Sequence, residues 1–435
     1  MRDSYDVLVV GAGPAGLAAA AAAARHGARV GLLDAQARVG GQIWRHDVAH
    51  APPAAASRAI LAAENQPGIQ LIPQATVIAA ERNALLVEDP RTAYWLGYRR
   101  LVLATGAREL LLPFPGWTLP GVVGAGGLQA LAKQGWPLTG KRVVIAGSGP
   151  LLLAAAATAR RHGAKVLGIF EQTTPAALHR FATGLWRWPG KLAQAVRLRR
   201  ALWGIPYRSE HLVARALGAD EAGLQAVEIE TAAGIERLDC ELLAVGYGLV
   251  PNLELARLLG CAIEACGMHT AVRVDAEQRS SLPQVYAAGE ACGIGGVDCA
   301  RVEGAIAGLA AAGAPIPAAL HRRRARARTF AAALRRDFAL RPRVHALATP
   351  DTLICRCEDV PLSALDGHAD ARSAKLATRC GMGACQGRIC GTALAELGRF
   401  AAGDLRPPLF PTRLASLAEA DPPSPLNIDT KDFDT

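Results

Sequence analysis

The sequence is poor in aromatic residues and has no surplus of acidic ones. Phe, Trp and Tyr make up 5% of its 435 residues, and the formal net charge at pH 7 is +10. Much of the positive charge lies in one run, HRRRARARTFAAALRRDFALRPR (321–343). Because no aromatic-rich or groove-reading motif accompanies this run, we expect no nucleic-acid partner. We interpret the run as a solvated, arginine-faced helix that links two domains.

Long uninterrupted apolar segments are also missing. The longest candidate, VLVVGAGPAGLAAAAAAA (7–24), is broken by Gly-Pro-Ala-Gly and has neither a basic flank nor a convincing cleavage site. We therefore interpret it as a strand, a turn and a helix, and not as a signal peptide or a transmembrane segment. We expect a cytoplasmic protein that reaches the inner membrane only through partner chains.

The ten cysteines include no Cys-x-x-Cys pair, and this absence disfavours thiol–disulfide chemistry. In a cytoplasmic chain so many cysteines indicate metal or redox chemistry and not structural disulfides. No acid–base constellation is recognisable among the scattered histidines, so we name no catalytic residue. Five cysteines are interpreted as isolated small apolar residues: Cys240, Cys261, Cys266, Cys292 and Cys299.

A dinucleotide-binding fingerprint begins near the start of the chain. DVLVV predicts a buried strand, GAGPAG a turn, the alanine-rich segment a helix, and RVGLLD a second strand. Gly11 permits the tight turn, Gly13 lets backbone N–H groups approach a pyrophosphate, and Gly16 lets the helix pack against the strand. Asp34 lies 18 residues after Gly16, where its carboxylate can accept hydrogen bonds from a ribose.

The same unit recurs in KRVVIAGSGPLLLAAAATARRHGAKVLGIFE (141–171), with Gly147, Gly149 and Glu171 at the corresponding positions. Leu152 replaces the third glycine, which separates helix from strand and makes the ligand of this unit uncertain. Because Glu171 would accept from a free 2′-hydroxyl and repel a 2′-phosphate, NAD or another adenine nucleotide fits better than NADP.

Five segments resemble, in order, the two-dinucleotide-domain flavoproteins that include thioredoxin reductase and ferredoxin reductase relatives. They are GAGPAG (11–16), GGQ (40–42), ATG (104–106), AGSGP (146–150) and VYAAGE (285–290). The resemblance implies an α/β fold with two Rossmann-like domains, one inserted in the other, and FAD in the first. The residues that it implies for FAD are Gly11, Gly13, Pro14, Ala15, Gly16, Asp34, Ala35, Gly41, Gln42, Arg45, Val77, Ala104, Thr105, Gly106, Gly289 and Glu290. For NAD or another adenine nucleotide they are Gly147, Gly149, Pro150 and Glu171.

The remaining five cysteines crowd the C-terminal part of the chain, in ICRCED and TRCGMGACQGRIC. Cys355 and Cys357 would project to the same side of an extended segment, which suits two ligands of one iron. The glycine-rich segment with Cys380, Cys385 and Cys390 can wrap around a cluster. Spacing alone permits several ligand sets and also a zinc site, although no zinc knuckle is present.

These segments resemble the 2Fe–2S domain of the bacterioferritin-associated-ferredoxin type. The fused version occurs in anaerobic glycerol-3-phosphate dehydrogenase and in the larger subunits of hydrogen cyanide synthase, opine oxidase and D-hydroxyproline or proline dehydrogenases. PGWTLPGVVGAGGLQALAKQG (115–135) is similar to the same subunits. The resemblance implies Cys355, Cys357, Cys385 and Cys390 as cluster ligands and leaves Cys380 as a spare thiol.

The resemblance also implies a function and a domain plan. The chain would be the electron-transferring α subunit of a heteromeric amino-acid or amine dehydrogenase. Its partners would be a D-amino-acid-oxidase-like flavoprotein, which forms the β subunit, and a small ferredoxin-like subunit. Electrons would pass through FAD and the 2Fe–2S cluster to an acceptor such as a quinone, and FMN is a further candidate at a shared subunit boundary.

Two alternatives stay open, a stand-alone NADH-dependent reductase and a non-catalytic scaffold. The predicted domains are FAD-binding (1–120 and 240–315), inserted nucleotide-binding (121–239), basic linker (316–349), 2Fe–2S (350–405) and an acidic tail (406–435).

Overall fold

The computed structural model describes residues 3–219, 221–266, 269–401 and 405–418, and it shows an α/β protein. The strands are β1 Asp3–Val10, β2 Val30–Asp34, β3 Ile69–Pro73, β4 Thr76–Glu81, β5 Ala84–Glu88, β6 Ala93–Leu103, β7 Ala107–Glu109, β8 Val122–Gly124, β9 Arg142–Gly147, β10 Lys165–Glu171, β11 Tyr207–Ser209, β12 Leu212–Ala219, β13 Gly223–Thr231, β14 Gly234–Asp239, β15 Leu242–Gly246, β16 Leu249–Pro251, β17 Ile263–Cys266, β18 His269–Val272, β19 Val285–Ala287, β20 Leu353–Cys355 and β21 Val360–Pro361. The helices are α1 Pro14–Ala24, α2 Ala54–Glu64, α3 Ala125–Lys133, α4 Leu151–Arg161, α5 Pro175–Gly184, α6 Pro189–Ala201, α7 Glu254–Leu258, α8 Gly296–Ala311, α9 Ala318–Asp337, α10 Pro342–His345, α11 Ala371–Thr378, α12 Cys390–Glu396 and α13 Leu414–Ala418.

The first sheet has the strand order β3-β2-β1-β6-β5-β4, and β19 pairs with β6. β1 is central because it pairs in parallel with both β2 and β6, which explains why its VLVV run is buried. β6 is long enough to pair with β5 through its first half and with β19 through its last three residues. The predicted unit of β1, α1 and β2 is confirmed.

The second sheet is parallel and has the order β11-β10-β9-β15-β8, so the predicted repeat of β9, α4 and β10 is also confirmed. β12, β13 and β14 form an antiparallel sheet in the same insertion. Because β15 pairs with β9, the second sheet extends to Gly246, beyond the boundary predicted after residue 239. The antiparallel pair of β7 and β16 joins the two domains.

Helices α1 and α8 are in backbone contact across the first domain. A Cβ atom on Gly304 would collide with the carbonyl group of Ala15, and one on Gly308 would collide with that of Ala19. The two glycines are four residues apart and therefore lie on one face of α8. This close approach brings the segment before α8 to the beginning of α1.

The basic linker forms helix α9, but one of its faces is packed, which corrects the expectation of a solvated helix. Arg328 donates from Nε to the carboxylate of Glu303 at 2.7 Å and from Nη1 to the carbonyl of Cys292 at 3.0 Å. The Glu303 side chain is 1% exposed, and Arg324 lies 3.6 Å from it. Phe330 is buried in the same face. A buried carboxylate with two arginine partners thus anchors α9 to α8.

The C-terminal residues that the structure describes also dock on the first domain. Leu409 packs in the core beneath the first sheet, and the Glu88 carboxylate accepts from the Ser416 hydroxyl at 2.6 Å and from Arg413 Nε at 3.0 Å. Residues 419–435, the greater part of the predicted acidic tail, lie outside the described residues. Among the helices described, none is both long and apolar enough to cross a membrane.

The contact between α1 and α8 gives the first prediction. Alanine is favoured over glycine inside a helix by about 1 kcal/mol, but overpacking costs roughly 1–3 kcal/mol and backbone atoms cannot rotate away. We therefore expect Gly308→Ala to lower the midpoint of thermal unfolding. Gly190→Ala is the matched control, since a Cβ atom there meets nothing within 4 Å. Equal responses of the two variants would contradict the close contact.

Candidate functional site

The first glycine-rich turn is packed as the sequence predicts. A side chain on Gly11 would collide with the carbonyl of Ala104, and one on Gly16 would collide with the carbonyl of Gly11. Gly11 has a φ of +103°, a conformation that L side chains rarely adopt. Pro14 begins α1 without needing a backbone N–H partner. The N-terminus of α1 is therefore held directly beside the loop that follows β6.

Space remains above this turn. A Cβ atom on Gly13 would meet only the Cα of Gly41, at 3.9 Å. Asp34 is partly exposed, and its two carboxylate oxygens accept from the backbone N–H groups of Ala12 (2.7 Å) and Gln36 (2.8 Å). The arrangement places a carboxylate and a helix N-terminus around an open turn, which suits the ribose and pyrophosphate of a dinucleotide.

Other predicted FAD residues surround the same turn or lie farther from it. Gln42 is exposed and accepts from Arg45 Nη2 at 2.6 Å. Ala35 is exposed next to Asp34, whereas the Val77 side chain is buried in the core on β4. Any role of Val77 toward a cofactor would therefore use its backbone.

The loop after Gln42 is tied to the inserted domain. Asp47 Oδ2 lies 3.1 Å from His162 Nε2, at the end of α4, and Asp47 Oδ1 lies 3.3 Å from His50 Nδ1. Burial raises the pKa of Asp47, but hydrogen bonds from the Ala49 N–H and the two histidines outweigh it and lower the pKa overall. His162, which carries no signal in the sequence, thus connects the two domains.

The segment before α8 completes the first site. Gly289 packs against Ala15, because a Cβ atom there would lie 2.8 Å from the Ala15 Cβ. Its N–H donates to Glu303 at 3.1 Å. The Glu290 carboxylate accepts from the N–H groups of Gly295 (3.2 Å) and Gly296 (2.8 Å), and burial raises the pKa of Glu290 to about 7. Near neutral pH this carboxyl group carries only part of a negative charge beside the phosphate-binding turn.

The second turn, by contrast, is closed around its acidic residue. The Glu171 side chain accepts from the N–H groups of Gly149 (2.8 Å) and Thr173 (3.0 Å) and from the Tyr207 hydroxyl (3.3 Å). Glu171 is 0% exposed, and its burial raises the pKa of the carboxyl group. Its oxygens are therefore not presented to a ribose, contrary to the sequence expectation.

The chain itself covers this second turn with residues 338–341. The Ser148 hydroxyl donates to the carbonyl of Phe338 at 3.0 Å, and the Phe338 side chain lies within 4.0 Å of where a Cβ atom on Gly149 would stand. Gln172 Nε2 donates to the carbonyl of Ala339 and its Oε1 accepts from the N–H of Arg341. Pro150 stays exposed at the edge. A nucleotide at Gly147 and Gly149 would have to displace this segment.

The five C-terminal cysteines converge, in an arrangement that differs from the predicted ligand set. The Sγ atoms of Cys355, Cys380 and Cys390 all lie within 4.8 Å of one another. Cys357 and Cys385 are hydrogen-bonded to each other. The predicted ligands Cys355, Cys357, Cys385 and Cys390 therefore lie in one region, but Cys380, which the resemblance leaves out, lies in the three-thiol group. The ligand set stays a prediction.

The loop around Cys385 fits an anionic sulfur. Burial raises the pKa of Cys385, but the N–H groups of Ile389, Gly387 and Arg388 point at the sulfur and lower the pKa overall. A side chain on Gly383 would collide with Cys357, so this glycine allows the two segments to meet. Converging backbone N–H groups and several thiols form a donor set that suits a thiolate-bound cluster.

Arg108 joins the cysteine loop to the first site. Its Nη1 donates to Asn252 Oδ1 (2.9 Å) and to Glu254 Oε1 (2.8 Å), while its Nε and Nη2 donate to the carbonyl of Arg388 (3.3 Å) and the hydroxyl of Thr392 (3.1 Å). On the other side, Asn252 Nδ2 donates to the carbonyl of Thr105 at 2.9 Å. Hydrogen bonds thus run from the loop after β6 to the residues that flank Cys390.

Comparison with known proteins identifies the family. Residues 5–307 match the family described as pyridine nucleotide-disulphide oxidoreductase. The chain belongs to this family. The chain is accordingly a flavin-dependent oxidoreductase, and its predicted Rossmann-type fold is confirmed.

Several relatives match over almost the full length of this oxidoreductase. One of the subunits of opine oxidase from Rhizobium meliloti (strain 1021) is 35% identical, and the match covers 95% of this chain and 98% of the relative. The hydrogen cyanide synthase subunit HcnB of Pseudomonas protegens is 31% identical, with 96% and 98% covered.

Solved structures share the fold at lower identity. L-proline dehydrogenase from P. horikoshii has a TM-score of 0.67 at 18% identity, covering 96% of this chain and 80% of that one. Thioredoxin reductase from T. acidophilum has a TM-score of 0.55 at 22% identity, covering 72% and 99%. Residues beyond the matched family region are thus shared with the first of these folds and not with the second.

Sequence reasoning missed three residues that organise the sites: Arg108, Glu303 and Phe338. Glu303 carried a usable signal, since a carboxylate within the apolar helix α8 predicts a buried partner of opposite charge. Arg108 and Phe338 carried none, because their partners lie 144 or more residues away along the chain.

The raised pKa of Glu290 predicts a pH-dependent stability. The folded state keeps the proton up to about pH 7, whereas an unperturbed glutamate loses it near 4.5, so stability should fall as pH rises between these values. We expect Glu290→Gln to match the parent near pH 4.5 and to be more stable at pH 8, by up to about 3 kcal/mol. Thermal unfolding across this pH range measures the difference, with the exposed Glu264→Gln as control. Parallel pH curves for parent and Glu290→Gln would contradict it.

Proposed function

We propose that the chain is the electron-transferring α subunit of a heteromeric FAD and iron–sulfur amino-acid or amine dehydrogenase. The type is that of D-hydroxyproline or proline dehydrogenase, opine oxidase and hydrogen cyanide synthase. The observation that carries this proposal is the hydrogen-bonded connection through Arg108, between the loop at Thr105 and the loop that holds Cys385 and Cys390. An open dinucleotide turn and a thiol cluster thus belong to one connected unit.

The names of the full-length relatives support a chain that works with others. The opine oxidase and hydrogen cyanide synthase relatives are each named as one subunit of an enzyme. We propose partners for this chain in the same sense: a D-amino-acid-oxidase-like β subunit that forms an imine from the substrate, and a small ferredoxin-like subunit. The electrons would pass to a quinone or another acceptor.

The residues of this chain would bind and position cofactors and would not attack the substrate. Gly13, Asp34 and the N-terminus of α1 would hold the ADP half of FAD, and Gly289 would bring the turn before α8 to the phosphates. When bound, FAD and a 2Fe–2S cluster supply the capacity to accept and pass electrons. FMN shared with a partner subunit would be a further carrier.

The cluster would be held by Cys355, Cys357, Cys385 and Cys390, in the set that the family resemblance implies. The N–H groups around Cys385 support its place in that set, because they stabilise a thiolate. Cys380 would remain a thiol beside the cluster. Zinc is the competing metal, and it would give no visible absorption.

Serine substitutions test this ligand set. We expect Cys385→Ser to lose the visible absorption and the reduced-state electron paramagnetic resonance signal of a 2Fe–2S cluster, because a thiolate ligand is removed. Cys380→Ser should keep both signals. The two cysteines lie in the same loop, so each variant controls for disturbance of the other. If Cys380→Ser loses the cluster and Cys385→Ser keeps it, the three-thiol group holds the metal.

An NADH-dependent reductase is the alternative that the second nucleotide-binding unit favours. The closed Glu171 and the segment over Gly149 count against it, since NADH would need that turn. Anaerobic spectrophotometry separates the two functions. We expect NADH alone to leave the flavin absorbance unchanged, and substrate to bleach it only when the co-purified partner chains are present.

Bleaching by NADH without partners would overturn the proposed function in favour of the reductase. If neither substrate with partners nor NADH changed the flavin or cluster spectrum, the chain would be a scaffold subunit. Purification with whatever chains remain bound, followed by their identification, supplies the material for both measurements.

A further inference from the structure

Two adjoining cavities lie where the inserted domain meets the linker helix α9. Their volumes are about 500 Å³ and about 380 Å³. Both are lined by residues of α9 and of the segment around α5 and α6, and both include Trp188 and Arg326. They form one continuous recess, which we call the α5–α9 groove, and its larger part is of the size that small ligands occupy.

The larger cavity is strongly basic. Its lining contains Arg180, Arg187, Arg326 and Arg336 against the single acidic residue Asp337, a formal charge of +3. The arginine run therefore has a second role besides anchoring α9 through Arg324 and Arg328. A recess of this charge selects ligands that carry at least two negative charges.

A buried carboxylate holds two of the arginines in place. Asp337 has a side-chain exposure of 0% and accepts from Arg180 Nε at 2.7 Å and from Arg336 Nη2 at 2.7 Å. Each guanidinium has further N–H groups, and more than half of each side chain is exposed. An oriented pair of guanidinium groups matches the fork geometry in which arginine binds phosphate oxygens.

The other two arginines have no carboxylate partner in the part of the chain that the structure describes. Arg326 Nη2 donates to the carbonyl of Arg187 at 2.8 Å, and the Arg187 guanidinium lies 5.7 Å from the centre of the Trp186 ring. Both side chains remain exposed. Their charges are thus available to a ligand at the opposite side of the cavity from Asp337.

Aromatic side chains complete the wall. Phe181 and Trp188 line the larger cavity and are partly exposed. Trp188 is fixed by a hydrogen bond from its Nε1 to the carbonyl of Arg326 and by an edge contact with Phe330. Aromatic faces next to guanidinium groups bind planar rings by stacking.

We propose that the α5–α9 groove binds a small polyphosphorylated ligand with a planar ring, of the nucleoside diphosphate class. Arg180, Arg187, Arg326 and Arg336 bind the phosphate oxygens, and Trp188 packs against the ring. The ligand contacts α5 and α9 together and so holds the linker helix against the inserted domain. This site is separate from the glycine-rich turns of both Rossmann units and does not depend on the proposed electron-transfer function.

Calorimetric titration of the full chain, purified with its cofactors and partner chains, tests the site with ADP and inorganic pyrophosphate. We expect ADP to bind more tightly than pyrophosphate, and both affinities to fall as salt rises. Arg187→Gln with Arg326→Gln should weaken ADP binding by about tenfold to a hundredfold, since each charge-assisted contact contributes about that order.

A matched double variant controls for loss of general positive charge. Arg322→Gln with Arg335→Gln removes the same charge from exposed positions of α9 outside the larger cavity, and it should bind ADP like the parent. The exposed single variant Arg187→Gln provides a second measurement if the double variant in the groove folds poorly.

Three results would overturn the proposal. The first is equal weakening in the two double variants, which would indicate unspecific attraction. The second is unchanged ADP binding in Arg187→Gln with Arg326→Gln, which would place ADP at another site. The third is binding of an Asp/Glu-rich peptide to the groove arginines without any binding of ADP, which would make the groove a docking surface for an acidic partner segment.

Discussion

The backbone contact between α1 and α8 is the constraint on which the rest of the molecule depends. Gly304 and Gly308 let α8 approach Ala15 and Ala19, and no residue with a Cβ atom would allow the same distance. Because α8 is held there, Gly289 reaches the first glycine-rich turn. Glu303, next to Gly304 on the same helix, then binds Arg328 and anchors α9. The position of α9 in turn fixes the segment that covers the second turn.

The two Rossmann units show how one local pattern leads to different sites. Asp34 and Glu171 make equivalent hydrogen bonds to the N–H groups of their own turns, but only Asp34 is left partly exposed. The difference comes from Phe338 and the residues after it, which follow α9 along the chain and lie against Gly149. The second unit therefore contributes a rigid wall to the molecule, on which the cysteine domain and the linker helix pack.

The cysteine domain is joined to the first domain by charged and polar groups. Arg108 uses its nitrogens on both sides of the boundary, and Trp117 Nε1 donates to the carbonyl of Leu353, close to Cys355. Glu396 lies 3.0 Å from His345 and 3.4 Å from His269. Directional contacts of this kind fix orientation better than an apolar surface does, because each has one geometry. A fixed distance between a flavin and a cluster is what electron transfer within one chain requires.

The sequence by itself determined the local units, because each depends on residues close together along the chain. Strand, turn and helix around Gly11 and Gly147, and the glycine-rich loop around Cys385, follow from periodicity and from glycine positions. Tertiary structure alone decided which turn stays open, which thiols group together and where the arginine run points. Those outcomes depend on Phe338, Cys380 and Asp337, whose decisive neighbours are mostly distant in sequence. Local pattern reports a residue's own conformation, and only packing reports what lies against it.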